Sequence, residues 1–203
     1  MHSHNPHSLE FTAAEKELLL QLAKESIVHG LIVEQPLHID LNNYPSRLLE
    51  QLACFVTLNL NGNLRGCIGH LEAVQPLVKD VVENAFSAAF HDPRFPQLTE
   101  PEMIGLEIDI SILSPPHPME FASEQDLLSQ LRPGIDGLIL KHGRHQGTFL
   151  PSVWSSLPDA ESFLNQLKRK AGLESDFWSN DTLILRYTTE SFSDSTTNQK
   201  TTA

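Results

Sequence analysis

The sequence has only two cysteines, Cys54 and Cys67, among 203 residues. Two are too few for a disulfide framework in a chain of this size. It also has no apolar run close to the roughly 20 residues that a membrane-spanning helix needs, and its first residues lack the basic and apolar regions of a signal peptide. We therefore expect a cytoplasmic setting with both thiols free and no membrane partner.

Positive charge is scarce as well. The chain has 14 Lys and Arg against 26 Asp and Glu, a formal net charge of -12. Nucleic-acid binding normally relies on a basic patch that supplies electrostatic affinity. The cluster Lys168-Arg169-Lys170 is short and is typical of the last turn of a helix, where cations complement the macrodipole. A nucleic acid is therefore not an expected partner.

Several common catalytic motifs are absent. The sequence has no glycine-rich phosphate loop, no cysteine pairs at zinc spacing and no Gly-x-Ser-x-Gly turn. Their absence removes the common nucleotide-binding, zinc-binding and serine-hydrolase interpretations. Histidines at positions 2, 4 and 7 do not by themselves indicate a specific metal site. We predict no metal site, and the sequence indicates no cofactor.

The chain does contain hydrophobic periodicity of both kinds. Apolar residues at helical spacing predict helices over about 12–30, 76–91, 123–131 and 159–171. Alternating residues predict strands over about 53–60, 106–113, 137–141 and 182–187. Gly30 is expected to end the first helix, and the Ser/Thr-rich segment after the last strand is expected to be disordered. Because hairpins alternate with single helices irregularly, we expect an α+β fold, an antiparallel sheet with flanking helices.

The candidate chemistry lies in the hairpin Asn61–His70, where Gly66 and Gly69 flank Cys67. Side chains two residues apart on a strand share a face, so Arg65 and Cys67 are predicted to point the same way. A nearby guanidinium favours the thiolate, which is the reactive form of cysteine. We therefore assign Cys67 as a candidate nucleophile and Arg65 as the holder of an anionic group. The amides of Gly66 and Gly69 are candidates for stabilising developing negative charge.

Asp92 and Arg94 lie in a proline-rich loop after the second predicted helix. That helix returns the chain to the neighbourhood of the hairpin, so both side chains are candidates for substrate binding or for pairing with Arg65. By strand parity, His70 lies on the face opposite Cys67. It could serve as a base only if a β-bulge at Gly69 redirected it.

The same residues allow a purely structural interpretation. Free cysteine is among the most buried residue types, and glycines beside Cys67 would let backbones approach closely. The segment Asp92-Pro93-Arg94 could be a salt-bridge loop. Cys54 is interpreted as a core residue, and His91 has no assigned role.

Six blocks of sequence carry a resemblance to a known family. They are, in order, Phe55–Leu58, Leu64–Gly69, Asp92–Leu98, Ile110–Pro115, Leu150–Val153 and Lys170–Leu173. Together they resemble the AMMECR domain family, and Leu-Arg-Gly-Cys-Ile-Gly is the most specific block. The resemblance implies one bilobed domain over residues 10–192, with a larger main lobe, a smaller lobe and the cysteine motif near the cleft between them. Residues 1–9 and 193–203 are then expected to be flexible tails.

The resemblance also implies partners. In bacteria and archaea, such domains look like protein A of the AmmeMemoRadiSam system, which is encoded beside a Memo-type protein and a radical-SAM protein. Two functions stay open. One is an enzyme that acts through Cys67 on a small, possibly anionic, substrate. The other is a non-catalytic module that binds a small ligand or docks to the Memo-type or radical-SAM partner.

Overall fold

A computed structural model describes residues 9–179 and 181–194 of the chain. It divides the chain into two compact units. The first contains the residues up to Leu113 and those from Glu190 onwards, and the second is Ser114–Thr189. No helix among the described residues has the length and apolar character needed to cross a membrane.

The described elements are four α-helices and eight strands. The helices are α1 (Ala13–Val33), α2 (Leu77–Phe90), α3 (Glu124–Gln130) and α4 (Ala160–Lys170). The strands are β1 (Cys54–Leu60), β2 (Asn63–Gly69), β3 (Leu106–Leu113), β4 (His117–Pro118), β5 (Gly137–His142), β6 (His145–Phe149), β7 (Leu183–Tyr187) and β8 (Thr189–Ser193). Short 3-10 helices lie at Leu41–Asn43, Ser46–Leu49, Glu100–Met103 and Pro151–Ser155. The predicted α+β class with antiparallel sheets is confirmed.

The first unit is a four-stranded sheet, in the order β2-β1-β3-β8, packed against α1 and α2. Alternate residues of β1 are buried, and those of β3 lie opposite them in register. Both helices add apolar side chains to the same core, because their apolar positions recur at helical spacing. Fully buried members of this core include Leu19, Ile27, Val56, Leu58, Val78, Val81, Ile108 and Ile110.

Helix α1 begins as predicted but ends later. Thr12 and Glu15 form the capping box. The helix does not end at Gly30 but continues to Val33. A side chain at position 30 would come within 2.4 Å of the Phe90 ring. Gly30 is therefore a packing residue inside the helix, and the left-handed residue that ends it is Glu34, with φ 58°.

The chain after the seventh strand was expected to be disordered, and this prediction is wrong for residues 189–193. They form β8, which lies beside β3 in the sheet of the first unit. Glu190 fixes this strand, because its carboxylate binds Lys16 at 2.5 Å and accepts from the Phe11 N–H at 3.2 Å. Most of the two predicted tails, residues 1–8 and 195–203, lies outside the described residues.

The second unit is a sheet in the order β4-β7-β5-β6 with α3 and α4. Its core is separate from that of the first unit and contains Phe163 stacked on Trp154, with ring centroids 3.9 Å apart. The ends of the unit are hydrogen-bonded to each other. Ser114 N–H donates to the Thr188 carbonyl at 2.9 Å, and Thr188 N–H donates to Ser114 Oγ at 2.9 Å.

Candidate functional site

The Leu64–Gly69 motif lies on β2, an edge strand of the first sheet. The strand follows a two-residue turn at Asn61 and Gly62, whose φ angles are 51° and 76°. An Asn-Gly pair adopts such positive φ angles readily and matches the twist of a hairpin. Cys67 lies opposite Thr57 of β1. Its side chain is therefore on the same face as Thr57, opposite the buried residues of β1.

A β-bulge interrupts β2 within the motif. The register changes between two adjacent pairs, Leu58 with Gly66 and Asn59 with Leu64. Arg65 is the extra residue, so regular alternation does not connect Arg65 to Cys67. Gly69 pairs in register with Phe55, so the bulge that would be needed to direct His70 toward Cys67 is not present there.

Arg65 is held by Glu102 of the 3-10 helix Glu100–Met103. Nε of Arg65 donates to Oε1 at 2.6 Å and Nη2 donates to Oε2 at 3.2 Å. The arginine is only 8% exposed, and no hydrogen-bond partner for its buried Nη1 is found among the described residues. The hydrogen bonds from Arg65, assisted by the backbone N–H of Thr99, lower the pKa of Glu102 to about 2.

Asp92 and Arg94 bind the backbone of Cys67 from outside the sheet. The Asp92 carboxylate accepts from the Cys67 N–H at 2.9 Å, and Arg94 Nη2 donates to the Cys67 carbonyl at 3.2 Å. Asp92 also accepts from Arg94 Nη2 at 2.7 Å. Hydrogen bonds from Arg94 and the Cys67 N–H outweigh burial and hold the pKa of Asp92 well below its usual range. The pair therefore satisfies both polar backbone groups of Cys67 on an edge strand.

The Cys67 thiol is part-buried and accepts a hydrogen bond from Thr57 Oγ1 at 3.3 Å. Arg94 is beside it. The pKa of the Arg94 guanidinium is raised chiefly by Asp92, with Cys67 as a further cause. The arginine that contacts Cys67 is therefore Arg94, at the carbonyl oxygen, whereas Arg65 is engaged by Glu102. Both guanidiniums lie near Phe95, 5.5 Å and 6.0 Å from its ring centroid.

The two motif glycines are sites of close backbone packing. A Cβ at Gly66 would lie 2.1 Å from the carbonyl oxygen of Ala88 in α2. A Cβ at Gly69 would lie 2.3 Å from the carbonyl oxygen of Cys54. Helix α2 occupies the side of Gly66 that a side chain would take. A ligand for its backbone would therefore have to approach from elsewhere.

His70 is on the α2 side of the sheet, where its Nδ1 lies 2.7 Å from Oδ1 of Asp80. Asp80 is 1% exposed and is surrounded by donors. Its Oδ2 accepts from the Cys54 N–H and thiol at 3.2 Å each and from Asn84 Nδ2 at 3.0 Å. Burial first, and then the Asp80 charge, raise the pKa of the Cys54 thiol well above its usual range. The assignment of Cys54 to the core is confirmed, although it is also hydrogen-bonded.

The His91 ring packs edge-on against Phe86, with ring centroids 5.0 Å apart. The backbone N–H of His91 donates to the Ser87 carbonyl at 2.8 Å. No hydrogen bond between His91 and Cys67 is found in residues 9–179 and 181–194. Within these ranges, no group of three or more His, Cys, Asp or Glu side chains is arranged to hold a metal ion.

Sequence reasoning missed Thr57, Glu102 and Asp80. The bulge makes Thr57 the partner of Cys67, and no sequence signal places that bulge. The spacing of Thr99 and Glu102 is typical of a capping box, which the structure contains, but it gives no signal for the contact of Glu102 with Arg65. Asp80 did carry a signal, because it lies one turn before Asn84 on the buried side of an apolar helix.

The sequence matches the AMMECR1 family model over residues 20–192. A protein of Methanothermobacter thermautotrophicus is 38% identical over 180 residues, covering 88% of this chain and 93% of that protein. Protein MK0488 of Methanopyrus kandleri is 37% identical over 177 residues, 83% of each chain. The crystal structure of PH0010 from Pyrococcus horikoshii is similar with a TM-score of 0.77 and 35% identity, covering 87% of this chain and 90% of that one. The match across most of the sequence and these relatives show that the chain belongs to the AMMECR1 family.

Proposed function

We propose that the protein acts through Cys67 as a nucleophile or transient covalent carrier on a small anionic substrate. One observation carries the proposal: a part-buried thiol lies beside the Arg94 guanidinium, which the buried Asp92 carboxylate fixes in place. A partly exposed cysteine with a fixed cation beside it is the setting that distinguishes a reactive cysteine from a buried structural one. The hydroxyl of Thr57 orients the sulfur.

In this proposal, Arg94 and Arg65 are both candidates to bind the anionic group of the substrate. The Arg94 side chain is 54% exposed and can reach an incoming carboxylate or phosphate group while it remains bound to Asp92. Arg65 is the second candidate to hold an anionic group, and its Nη1, which is buried, has no hydrogen-bond partner among the described residues. Each arginine is already paired with a carboxylate, so the site as a whole has little net charge. This balance favours a substrate of low charge, such as a monocarboxylate, over a highly charged one. The Gly66 and Gly69 amides remain candidate donors to developing negative charge.

We further propose that the protein works as component A of an AmmeMemoRadiSam system with a Memo-type and a radical-SAM protein. Membership of the AMMECR1 family supports this assignment. Co-expression of the tagged full chain with both proteins tests it, and the expected result is that they purify together. Failure of both to co-purify, at low and physiological salt, would contradict it.

A non-catalytic role is the alternative, and one observation favours it. Asp92 and Arg94 satisfy the backbone of Cys67, so the motif has a complete structural use without any reaction. In that case, the segment from Asp92 to Arg94 fixes an edge strand, and the protein binds a ligand or docks to one of the two partner types.

Alkylation rates distinguish the two. In the folded protein at neutral pH, we expect Cys67 to react with iodoacetamide and Cys54 to remain unmodified until unfolding, as measured by peptide mass spectrometry. We also expect the ratio of the iodoacetate rate to the iodoacetamide rate to be higher at Cys67 than for the thiol of free glutathione. The reason is that Arg94 attracts the carboxylate of iodoacetate. The variant Arg94→Gln should lose this preference and slow both reactions.

Arg144→Gln, at an exposed hairpin turn of the second unit, is the matched control and should leave both rates unchanged. If Cys67 stays unmodified in the folded protein, or if Arg94→Gln leaves its reactions unaltered, the nucleophile proposal is wrong. The structural alternative would then be favoured.

A further inference from the structure

We propose that His70 and Asp80 form a second chemical site, in which Nε2 of His70 acts as a general base toward water or a small alcohol. The site does not depend on the proposed role of Cys67, because the two side chains lie on opposite faces of the first sheet. The geometry that carries it is the 2.7 Å contact between His70 Nδ1 and the carboxylate of Asp80.

The Asp80 carboxylate is well suited to hold a histidine. It is buried in the core of the first unit and accepts from His70, Gln75, Asn84 and two groups of Cys54. Multiple donors fix the orientation of a buried carboxylate. Asp80 therefore presents a rigid negative charge to the imidazole.

This carboxylate determines which ring nitrogen of His70 carries the proton. An ionised carboxylate only accepts hydrogen bonds, so Nδ1 must be the N–H that donates to it. Nε2 is then left with its lone pair. The side chain of His70 is 42% exposed, which makes the ring accessible from solvent. Its backbone N–H donates to the Cys54 carbonyl at 3.0 Å, so the residue is fixed at its backbone as well as at its ring.

The proposed step is a single proton transfer. Nε2 of His70 takes the proton of a hydroxyl group or of water, and the O–H electron pair remains on the oxygen, which becomes the nucleophile. The resulting imidazolium keeps its Nδ1 proton and is stabilised by the negative charge of Asp80. His70 is the base in this step, and Asp80 is a positioning residue.

The charged and titratable groups around the ring come from two elements. Asp80 lies on α2 and the thiol of Cys54 on β1. Gln75 links Asp80 to Glu83, because its Nε2 donates to Asp80 at 3.1 Å and to Glu83 at 2.7 Å. Lys79 pairs with Glu83 at 3.6 Å, so Asp80 is the charge that contacts the ring. We therefore expect the site to favour neutral substrates over anionic ones.

Hydrolysis of 4-nitrophenyl acetate, a neutral activated ester, tests the proposal in the full chain. All variants carry Cys67→Ser, so that thiol chemistry does not contribute. Adding His70→Gln should lower the hydrolysis rate at pH 8 at least about tenfold, because general-base catalysis usually contributes more than this factor. His29→Gln is the matched control and should leave the rate unchanged, since Nδ1 of His29 contacts a neutral carbonyl, that of Gln35, at 3.0 Å.

If His70→Gln lowers the hydrolysis rate of the Cys67→Ser chain by less than about tenfold, the proposal is wrong. An equal rate in H2O and D2O would also contradict it, because the ring would then attack the ester itself. Asp80→Asn should change the tautomer populations of the neutral His70 ring, measured by ¹⁵N NMR, an effect that a purely structural aspartate would not produce. Because this variant removes a buried charge, ¹⁵N NMR of the unsubstituted chain gives an independent measurement. It should show Nε2 of His70 unprotonated, and a protonated Nε2 in the neutral ring would also overturn the proposal.

Discussion

Arg65 is a nearly buried cation that depends on a single carboxylate. Arg65 is the extra residue of a β-bulge, so its side chain does not follow the alternation of β2. The Glu102 carboxylate accepts two hydrogen bonds from it. A buried ion pair contributes little by its formation, but the loss of one partner leaves an uncompensated charge. The Arg65–Glu102 pair should therefore matter for stability and for its pH dependence, whatever the chemistry at Cys67.

We expect Glu102→Gln to lower the free energy of unfolding by about 1.5–3 kcal/mol at pH 7, the usual range for a hydrogen bond to a charged group. The folded-state pKa of Glu102, about 2, is below its ordinary value of 4.5. Its stabilisation is therefore fully present above pH 4.5 and is lost as the pH falls through 2. Urea unfolding between pH 2 and 7 should show a shallower acid loss in the variant than in the wild type.

Glu50→Gln is the control, because Glu50 forms a more exposed pair with an arginine, Arg47, at 2.6 Å. Exposed pairs contribute between zero and about 1 kcal/mol. Some acid sensitivity should remain in both variants, because Asp92 also has a lowered pKa. Equal pH dependence of Glu102→Gln and the wild type would show that the Arg65–Glu102 pair does not stabilise the fold.

The sequence identified the residues of the candidate site better than their contacts. Cys67, Asp92 and Arg94 do lie together, because the double-proline loop returns α2 to the hairpin. Strand parity predicts Arg65 beside Cys67, whereas the arginine that contacts Cys67 is Arg94. The pattern of a strand cannot reveal that a single extra residue has been inserted. His70 was correctly placed opposite Cys67, but its partner lies in a helix and depends on tertiary packing.

Strand β2 is an edge strand that is protected by side chains. Edge strands leave polar backbone groups available to other chains, and proteins commonly protect them with charged residues or loops. Here Asp92 and Arg94 occupy both backbone groups of Cys67. The other edge of the same sheet is β8, whose existence no hydrophobic run predicted. It is short and polar, and the side chains of Glu190 and Ser191 attach it to the rest of the unit.

Truncation tests the contribution of β8. A chain that ends at residue 188 loses the strand, leaving β3 as an exposed edge with unpaired backbone groups. We expect a lower midpoint of thermal unfolding and concentration-dependent aggregation, measured by circular dichroism and light scattering. A chain that ends at residue 194 keeps all of β8 and provides the baseline. Equal behaviour of the two truncated chains would contradict a stabilising role for the strand.

At the scale of the molecule, the sequence of the second unit interrupts that of the first. The chain leaves the first unit after Leu113 and re-enters it at Glu190. Each unit has its own apolar core. The candidate residues Arg65, Cys67, Asp92 and Arg94 all belong to the first unit, as do His70 and Asp80. Both tryptophans, Trp154 and Trp178, belong to the second. Tryptophan fluorescence therefore reports directly on the unit that lacks the candidate sites.

We expect residues 114–189 to fold as an isolated fragment. The two ends of this segment are already joined by hydrogen bonds between Ser114 and Thr188, so excision does not separate them. A domain of this size can bury enough apolar surface to be stable alone, although with a small margin. The measurement is tryptophan fluorescence during urea unfolding, which should show one cooperative transition. Phe163→Ala is the destabilised control, because Phe163 is fully buried and stacks on Trp154, and such truncations cost about 3–5 kcal/mol. A gradual fluorescence change, identical in the fragment and its Phe163→Ala form, would show that the second unit needs the first in order to fold.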